Sequence, residues 1–139
     1  MTKLSGRILS VDLGKKRVGI AVCDELQMTT RGVAVLQMKT TAQLLTEIEK
    51  FIADFDAVAV VIGLPLNFDG SESANSTEAR KIAAEFEKSI TIPIYLQDER
   101  LTSHEAEEIL REQGFNQTEI KKRVDMEAAA VILRDYLSN

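Results

Sequence analysis

The sequence predicts an α/β fold: a mixed five-stranded sheet, an antiparallel three-strand meander plus parallel strands, with helices on both faces. Three observations carry this. Short apolar segments follow one another near the N-terminus with few polar residues between them, as hairpins do. A nearly all-apolar run, "DAVAVVIGLPLN", stands mid-chain without the alternation of a half-exposed strand, so it belongs at the centre of a sheet covered on both faces. Beyond it, strand-like runs alternate with segments of helical spacing, the pattern of strands that return through crossovers.

Arg7 to Val11 and Val18 to Cys23 read as antiparallel strands joined across Gly14-Lys15-Lys16, and Arg31 to Gln37 as the third strand. Thr40 or Thr41 caps a helix with Leu44, Leu45, Ile48, Phe51 and Ile52 at helical spacing. The central strand runs from Ala57 to Ile62, and Asn67 to Ser73 is a polar loop with the turn signal Asp69-Gly70. Ser76-Thr77-Glu78 begin a second helix whose apolar side carries Ala79, Ile82, Ala83 and Phe86. Ile92 to Gln97, entered through Pro93, is the last strand and runs into "DERLTS". Thr102-Ser103-His104-Glu105 has the form of a capping box for a third helix that stops near Gly114. Asn116 or Thr118 caps a short turn, and a final helix opens at Asp125 and runs through "DMEAAAVILRDYL". Without a repeat, low-complexity segment or linker, 1–139 reads as a single domain.

Composition narrows the function. Apolar content of 45% and charged content of 28% belong to a globular protein rather than a disordered or fibrous one. The run Ala57 to Leu66, broken by Gly63 and Pro65, is far short of a membrane span. Thr2 to Arg7 lead straight into a strand, without the apolar core of a signal peptide. Cys23, alone, has no internal disulfide partner, which suits a reducing cytoplasm. The expectation is a cytoplasmic chain with no membrane partner. A net charge of -5 weighs against nucleic acid. Its distribution weighs the other way: positive charge gathers at Lys15-Lys16-Arg17 and at Lys121-Lys122-Arg123, each close to an isolated aspartate.

Those aspartates point to chemistry. Asp12 ends the first strand, Asp98 and Glu99 end the last, and Asp125 precedes Ala128-Ala129-Ala130, a run that lets a helix lie close on a sheet. In open α/β sheets the functional crevice lies outside the carboxyl ends of the strands, so the topology can gather acids that are remote in sequence. Converging carboxylates repel, and they either take up protons or attract cations. Oxygen donors suit Mg²⁺ or Mn²⁺, and two such ions can activate water and stabilise the leaving oxygen in phosphodiester cleavage. Lys15, Lys16, Arg17, Arg100, Lys121, Lys122 and Arg123 would then hold flanking phosphates, with Asn67 as a further donor. Each acid alone also has an ordinary reading: Asp12 as a hairpin residue, Glu99 paired with Arg100, Asp125 as a helix N-terminal acid. His104 reads as a first-turn helix residue, with acid–base chemistry as the minority alternative. Gly63 and Pro65 either bring backbone close to a phosphate or simply end the strand. The aromatic residues fit core packing, and no platform for stacking bases is visible.

The stretches "VDLGKKRVGIAVCD" (Val11 to Asp24), "VIGLPLNFDG" (Val61 to Gly70), "DERLTSHEAEEIL" (Asp98 to Leu110) and "KKRVDMEAAAVIL" (Lys121 to Leu133) together resemble the YqgF family. Its members are also called RuvX-type Holliday junction resolvases or pre-16S rRNA nucleases, within the RNase H-like superfamily. The resemblance runs from Ile8 to Leu137. It implies a metal-dependent nuclease that processes the 5′ end of pre-16S rRNA during ribosome biogenesis, or one that resolves four-way DNA, using two Mg²⁺ or Mn²⁺ ions. Carried over, the acids are Asp12, one or both of Asp98 and Glu99, and Asp125, with Asp12, Glu99 and Asp125 as the minimal ligand set. Many nucleases of the superfamily place an acid at the end of the fourth strand, where this chain has Gly63-Leu64-Pro65. The acid must then come from the "DER" segment, where alternation puts Asp98 and Glu99 on opposite faces. The partner implied is a structured RNA precursor or branched DNA, met by a monomer or a homodimer. "DLGKKRVGIA" also resembles the phosphate-binding hairpin of actin- and Hsp70-class ATPases, but those close two domains over a nucleotide. A non-catalytic RNA-binding assembly factor is the remaining alternative.

Overall fold

The computed structural model describes residues 5–100 and 102–138. Five strands, β1 (Ile8–Leu13), β2 (Arg17–Cys23), β3 (Thr30–Gln37), β4 (Ala59–Leu64) and β5 (Ile94–Asp98), form one sheet of order β3-β2-β1-β4-β5. β1, β2 and β3 pair antiparallel, while β1–β4 and β4–β5 are parallel. Every residue of β4 is buried, as its unbroken apolar sequence requires. The strand begins two residues later than the apolar run suggests and continues to Leu64, because the register with β5 extends to Leu64 opposite Asp98.

Helices α1 (Thr41–Phe55), α2 (Ala74–Glu87), α3 (Thr102–Glu112) and α4 (Gln117–Ser138) cover the sheet. Alternation along the strands sorts the core into two faces. Leu9, Val11, Val18, Ile20, Val60 and Ile62 meet Leu44 and Ile48 of α1 and Ile82 and Phe86 of α2. On the other face Ile8, Ala59 and Val61 meet Ile132 and Leu133, and Ala21 meets Ala129 and Ala130.

Helix starts correct the sequence reading in three places. A capping box at Ser73, with Ser76 at its third helical position, starts α2 ahead of Ser76-Thr77-Glu78. Thr102 lies within α3, and its hydroxyl donates to the Glu99 carbonyl at 2.9 Å rather than capping the helix; Leu101, before it, lies outside the described residues. The last helix is continuous for 22 residues from Gln117, so Asp125 lies in its interior and does not open it. Asn116 provides the true start: its side chain accepts from the Glu119 amide at 2.9 Å, and Glu119 accepts from the Asn116 amide. With no Gly or Pro from Gln117 to Ser138, nothing interrupts the helix.

Candidate active site

Asp12 shares a strand face with Ile8 and Ser10, the face covered by α4. Ser10, fully buried, donates to the Ala129 carbonyl at 2.6 Å and fixes the helix against the strand. Opposite Asp12 in the β1–β2 register stands Gly19, where any Cβ would collide with the Asp125 carbonyl oxygen. A bare glycine there lets α4 descend onto the sheet and brings Asp125 beside the end of β1. Arg17, at the start of β2, donates through Nε to Asp125 Oδ2 at 2.7 Å.

The second acid arrives from β5. The Glu99 amide donates to the Leu64 carbonyl at 3.2 Å, carrying the ladder one residue past the strand. Its carboxyl occupies the space beside Gly63, where an added Cβ would stand 2.8 Å from Glu99 Cδ and 2.7 Å from Ile132 Cδ1. The position where the superfamily often carries an acid is thus a glycine that makes room for the neighbouring strand's acid.

Glu99 and Asp12 are hydrogen-bonded to each other. Burial, then the charge of Asp12, the hydrogen bond and the charge of Asp98 push the Glu99 carboxyl up to about 9. Burial raises Asp12 to about 6, against the hydrogen bond from Glu99, which lowers it, and with Asp125 adding repulsion. Both carboxyls are raised by burial and by acid–acid repulsion, so near neutral pH the pair holds one proton between them. This answers the cost of burying an acid at a strand tip: the charge is paired and partly neutralised.

Asp12, Glu99 and Asp125 line one cleft of about 650 Å³ at the carboxyl end of the parallel strands. Lys15 and Gly14 edge it from the β1–β2 hairpin, Pro65 and Phe68 from the loop after β4, and Thr102 and His104 from α3. Asn75, Glu78, Ala79 and Ile82 line it from α2; their spacing places them on one helical stripe.

Of the other sequence candidates, His104 lines the cleft, and Asp98, Arg100, Asn67, Lys121, Lys122 and Arg123 lie outside its lining. Asp98 accepts from Arg100 Nη2 at 2.6 Å and from its Nε at 2.9 Å, outside the cleft lining. Arg100 also donates through Nη1 to the Phe68 carbonyl at 2.8 Å, so its guanidinium is engaged within the chain. The Asn67 amide donates to Ser71 Oγ and the Glu72 carbonyl, which spends it on the loop. Arg123 lies over the Phe115 ring at 4.4 Å, and Lys121 and Lys122 are exposed on α4. His104 sits 3.2 Å from Glu108 as well as facing the cleft. Phe68, Asn75, Glu78 and Thr102 are cleft residues that sequence reading passed over. For Asn75 and Glu78 the available signal was the helical stripe they share with Ala79 and Ile82.

Among the described residues no group of three or more His, Cys, Asp or Glu side chains is arranged to hold a metal ion. Asp12 and Glu99 form a hydrogen-bonded pair, while Asp125 is held by Arg17. The donor chemistry nonetheless fits a hard divalent ion. Mg²⁺ binds through one or two carboxylates together with water and substrate phosphate, and a carboxyl pair sharing a proton offers a place where a cation replaces it.

The sheet order, the helices on both faces and the acidic cleft at the strand ends define an RNase H-like domain. Two solved structures share this fold over nearly the whole chain. "T. thermophilus RuvC in complex with Holliday junction substrate" matches with a TM-score of 0.61 at 15% identity, covering 94% of this chain and 93% of that one. The Fowlpox virus resolvase in its complex with substrate Holliday junction DNA matches with 0.59 at 12% identity, covering 95% and 97%. Within that fold the chain belongs to the RuvX family, whose model, described as "Holliday junction resolvase", matches residues 6–139. A protein of Anaeromyxobacter sp. (strain Fw109-5) named "Putative pre-16S rRNA nuclease" is 44% identical over 131 residues, covering 94% of this chain and 96% of that protein. One of the same name from Maridesulfovibrio salexigens is 36% identical over 132 residues, covering 95% and 98%.

Proposed function

We propose that this chain is a nuclease that hydrolyses phosphodiester bonds of a structured RNA precursor in the cytoplasm, trimming the 5′ end of pre-16S rRNA. The observation that carries the reading is the Asp12–Glu99 carboxyl pair, set beside Asp125 in a cleft edged by Lys15. The names of the relatives support the substrate.

Asp12, Glu99 and Asp125 would hold Mg²⁺ or Mn²⁺, most simply two ions. When bound, such ions supply Lewis-acid stabilisation of charge on the phosphate and a more acidic water. The chain's own residues do the rest. Asp12 and Glu99 surrender their shared proton and present oxygens to the site. Thr102 holds the Glu99 backbone in place, and Arg17 orients Asp125. Lys15 draws the phosphate to the rim of a centre that would otherwise repel it. No helix among the described residues is long and apolar enough to cross a membrane.

The test is cleavage of a pre-16S rRNA 5′ leader and of a DNA four-way junction, with Mg²⁺ or Mn²⁺, by the wild-type chain and by Asp12→Asn and Asp125→Asn. Each variant is expected to lose about 100-fold or more in rate. A folded variant that keeps the full rate removes its residue from the chemistry. Preference for the junction over the leader would turn the reading to DNA resolution.

A further inference from the structure

Phe68 stands out on the cleft wall. Four large apolar side chains are markedly exposed among the described residues: Leu26, Met28, Phe68 and Tyr95. Leu26 and Met28 follow β2 at the opposite end of the sheet, and Tyr95 stacks on Tyr136 with ring centroids 5.6 Å apart. Phe68 alone of the four lines the cleft, with 77% of its surface open.

That exposure is built into the loop. The Phe68 carbonyl accepts from Arg100 Nη1 at 2.8 Å, and Arg100 is itself clamped on Asp98. On either side, the Asn67 amide N–H donates to the Ser71 carbonyl at 3.0 Å, and Gly70 N–H donates back to the Asn67 carbonyl at 2.8 Å. Ser73 Oγ closes the loop base on the Pro65 carbonyl at 2.5 Å. Apolar side chains, Leu13, Pro65 and Ile82, line the same cleft, yet Phe68 stays 77% open and joins none of the apolar clusters of the core. An exposed aromatic side chain on a backbone-pinned loop, sharing a cleft with a lysine and a carboxyl pair, suits a flat, apolar-faced group that arrives attached to a phosphate.

We infer that Phe68 is a stacking platform for an unpaired nucleobase next to the scissile phosphate, so that the cleft takes a strand opened from its duplex and rejects a closed one. Arg100 acts here as a positioning residue for the Phe68 loop. The inference rests on the nuclease reading of the cleft and specifies its substrate class. In a closed duplex both faces of each base are already stacked, and the ring has nothing to meet.

The chain contains no tryptophan, so Phe68→Trp installs a single fluorescent reporter at the platform. In Mg²⁺ buffer its emission is titrated with an oligouridylate, an oligothymidylate and a blunt duplex of matching length. Quenching by the single strands, at concentrations where the duplex has no effect, is the expected result. In parallel, Phe68→Ala weakens single-strand binding, read by anisotropy, by about 5- to 100-fold, and Phe68→Tyr restores it. Equal quenching by the duplex, unchanged binding by Phe68→Ala, or a tryptophan that no oligonucleotide moves each overturns the inference; the last outcome would point to a protein contact at Phe68. The two readings fail separately. Quenching without any cleavage keeps the platform and defeats the nuclease, whereas a full cleavage rate and unchanged binding in Phe68→Ala keep the nuclease and defeat the platform.

Discussion

At the scale of single residues, the cleft works against the stability of the fold. The Glu99 carboxyl is raised from 4.5 to about 9 and Asp12 from 3.8 to about 6. A raised acid stabilises the folded chain below its unfolded value, and that contribution disappears as pH climbs through the folded one. In chelator the chain should therefore lose stability steadily between pH ~4 and ~9, with Glu99 responsible for the upper part of the window. Glu99→Gln keeps a donor for Asp12 and removes the titration. Urea unfolding at pH ~8.5 should find it more stable than wild type by about 1–3 kcal/mol, the difference vanishing at low pH. Gly63→Ala addresses the same acid from the other side. Its new methyl would press on Glu99 Cδ and Ile132, costing about 1–3 kcal/mol of stability together with cleavage activity. An unchanged unfolding midpoint would show that Glu99 does not depend on that space.

Between elements, the decisive contact is α4 on β1 and β2. Ser10, Gly19 and Ala129 let the helix lie close enough for Asp125 to reach the strand ends. Gly19→Ala has no flexible side chain to displace, only the backbone carbonyl of Asp125. We expect a loss of about 2–4 kcal/mol in denaturant unfolding and cleavage falling with it. A neutral Gly19→Ala would contradict the close approach. Much of this level was readable in the sequence: the meander, the buried β4 and the Ala128-Ala129-Ala130 run each follow from local pattern. The start of α4 was not, since an aspartate beside a break in polarity imitates a helix opening, and only Arg17, 108 residues away, explains an acid mid-helix. The choice between Asp98 and Glu99 was likewise closed to sequence. Alternation says that they diverge, but which one faces α4 depends on the ladder past Leu64. Phe68 escaped notice because composition cannot tell a ring held out by its backbone from one folded into the core.

For the molecule as a whole, charge sets the terms of binding. At a net charge of -5 the overall field repels a polyanion, so attraction must be local and of few contacts. The salt dependence of single-strand binding should be shallow, and Lys15→Ala should reduce the slope of log affinity against log salt by about 0.7. An unaltered slope would take Lys15 off the phosphate path. The layer formed by α4 has another consequence. This helix packs against all five strands, and it follows every one of them in the chain. While the protein is being translated, Ile8, Ala59 and Val61 stay bare until α4 emerges from the ribosome, and Asp125 cannot join Asp12 before then. A nascent chain thus carries a sticky sheet that invites chaperones, and its cutting power switches on only with the final turn of assembly.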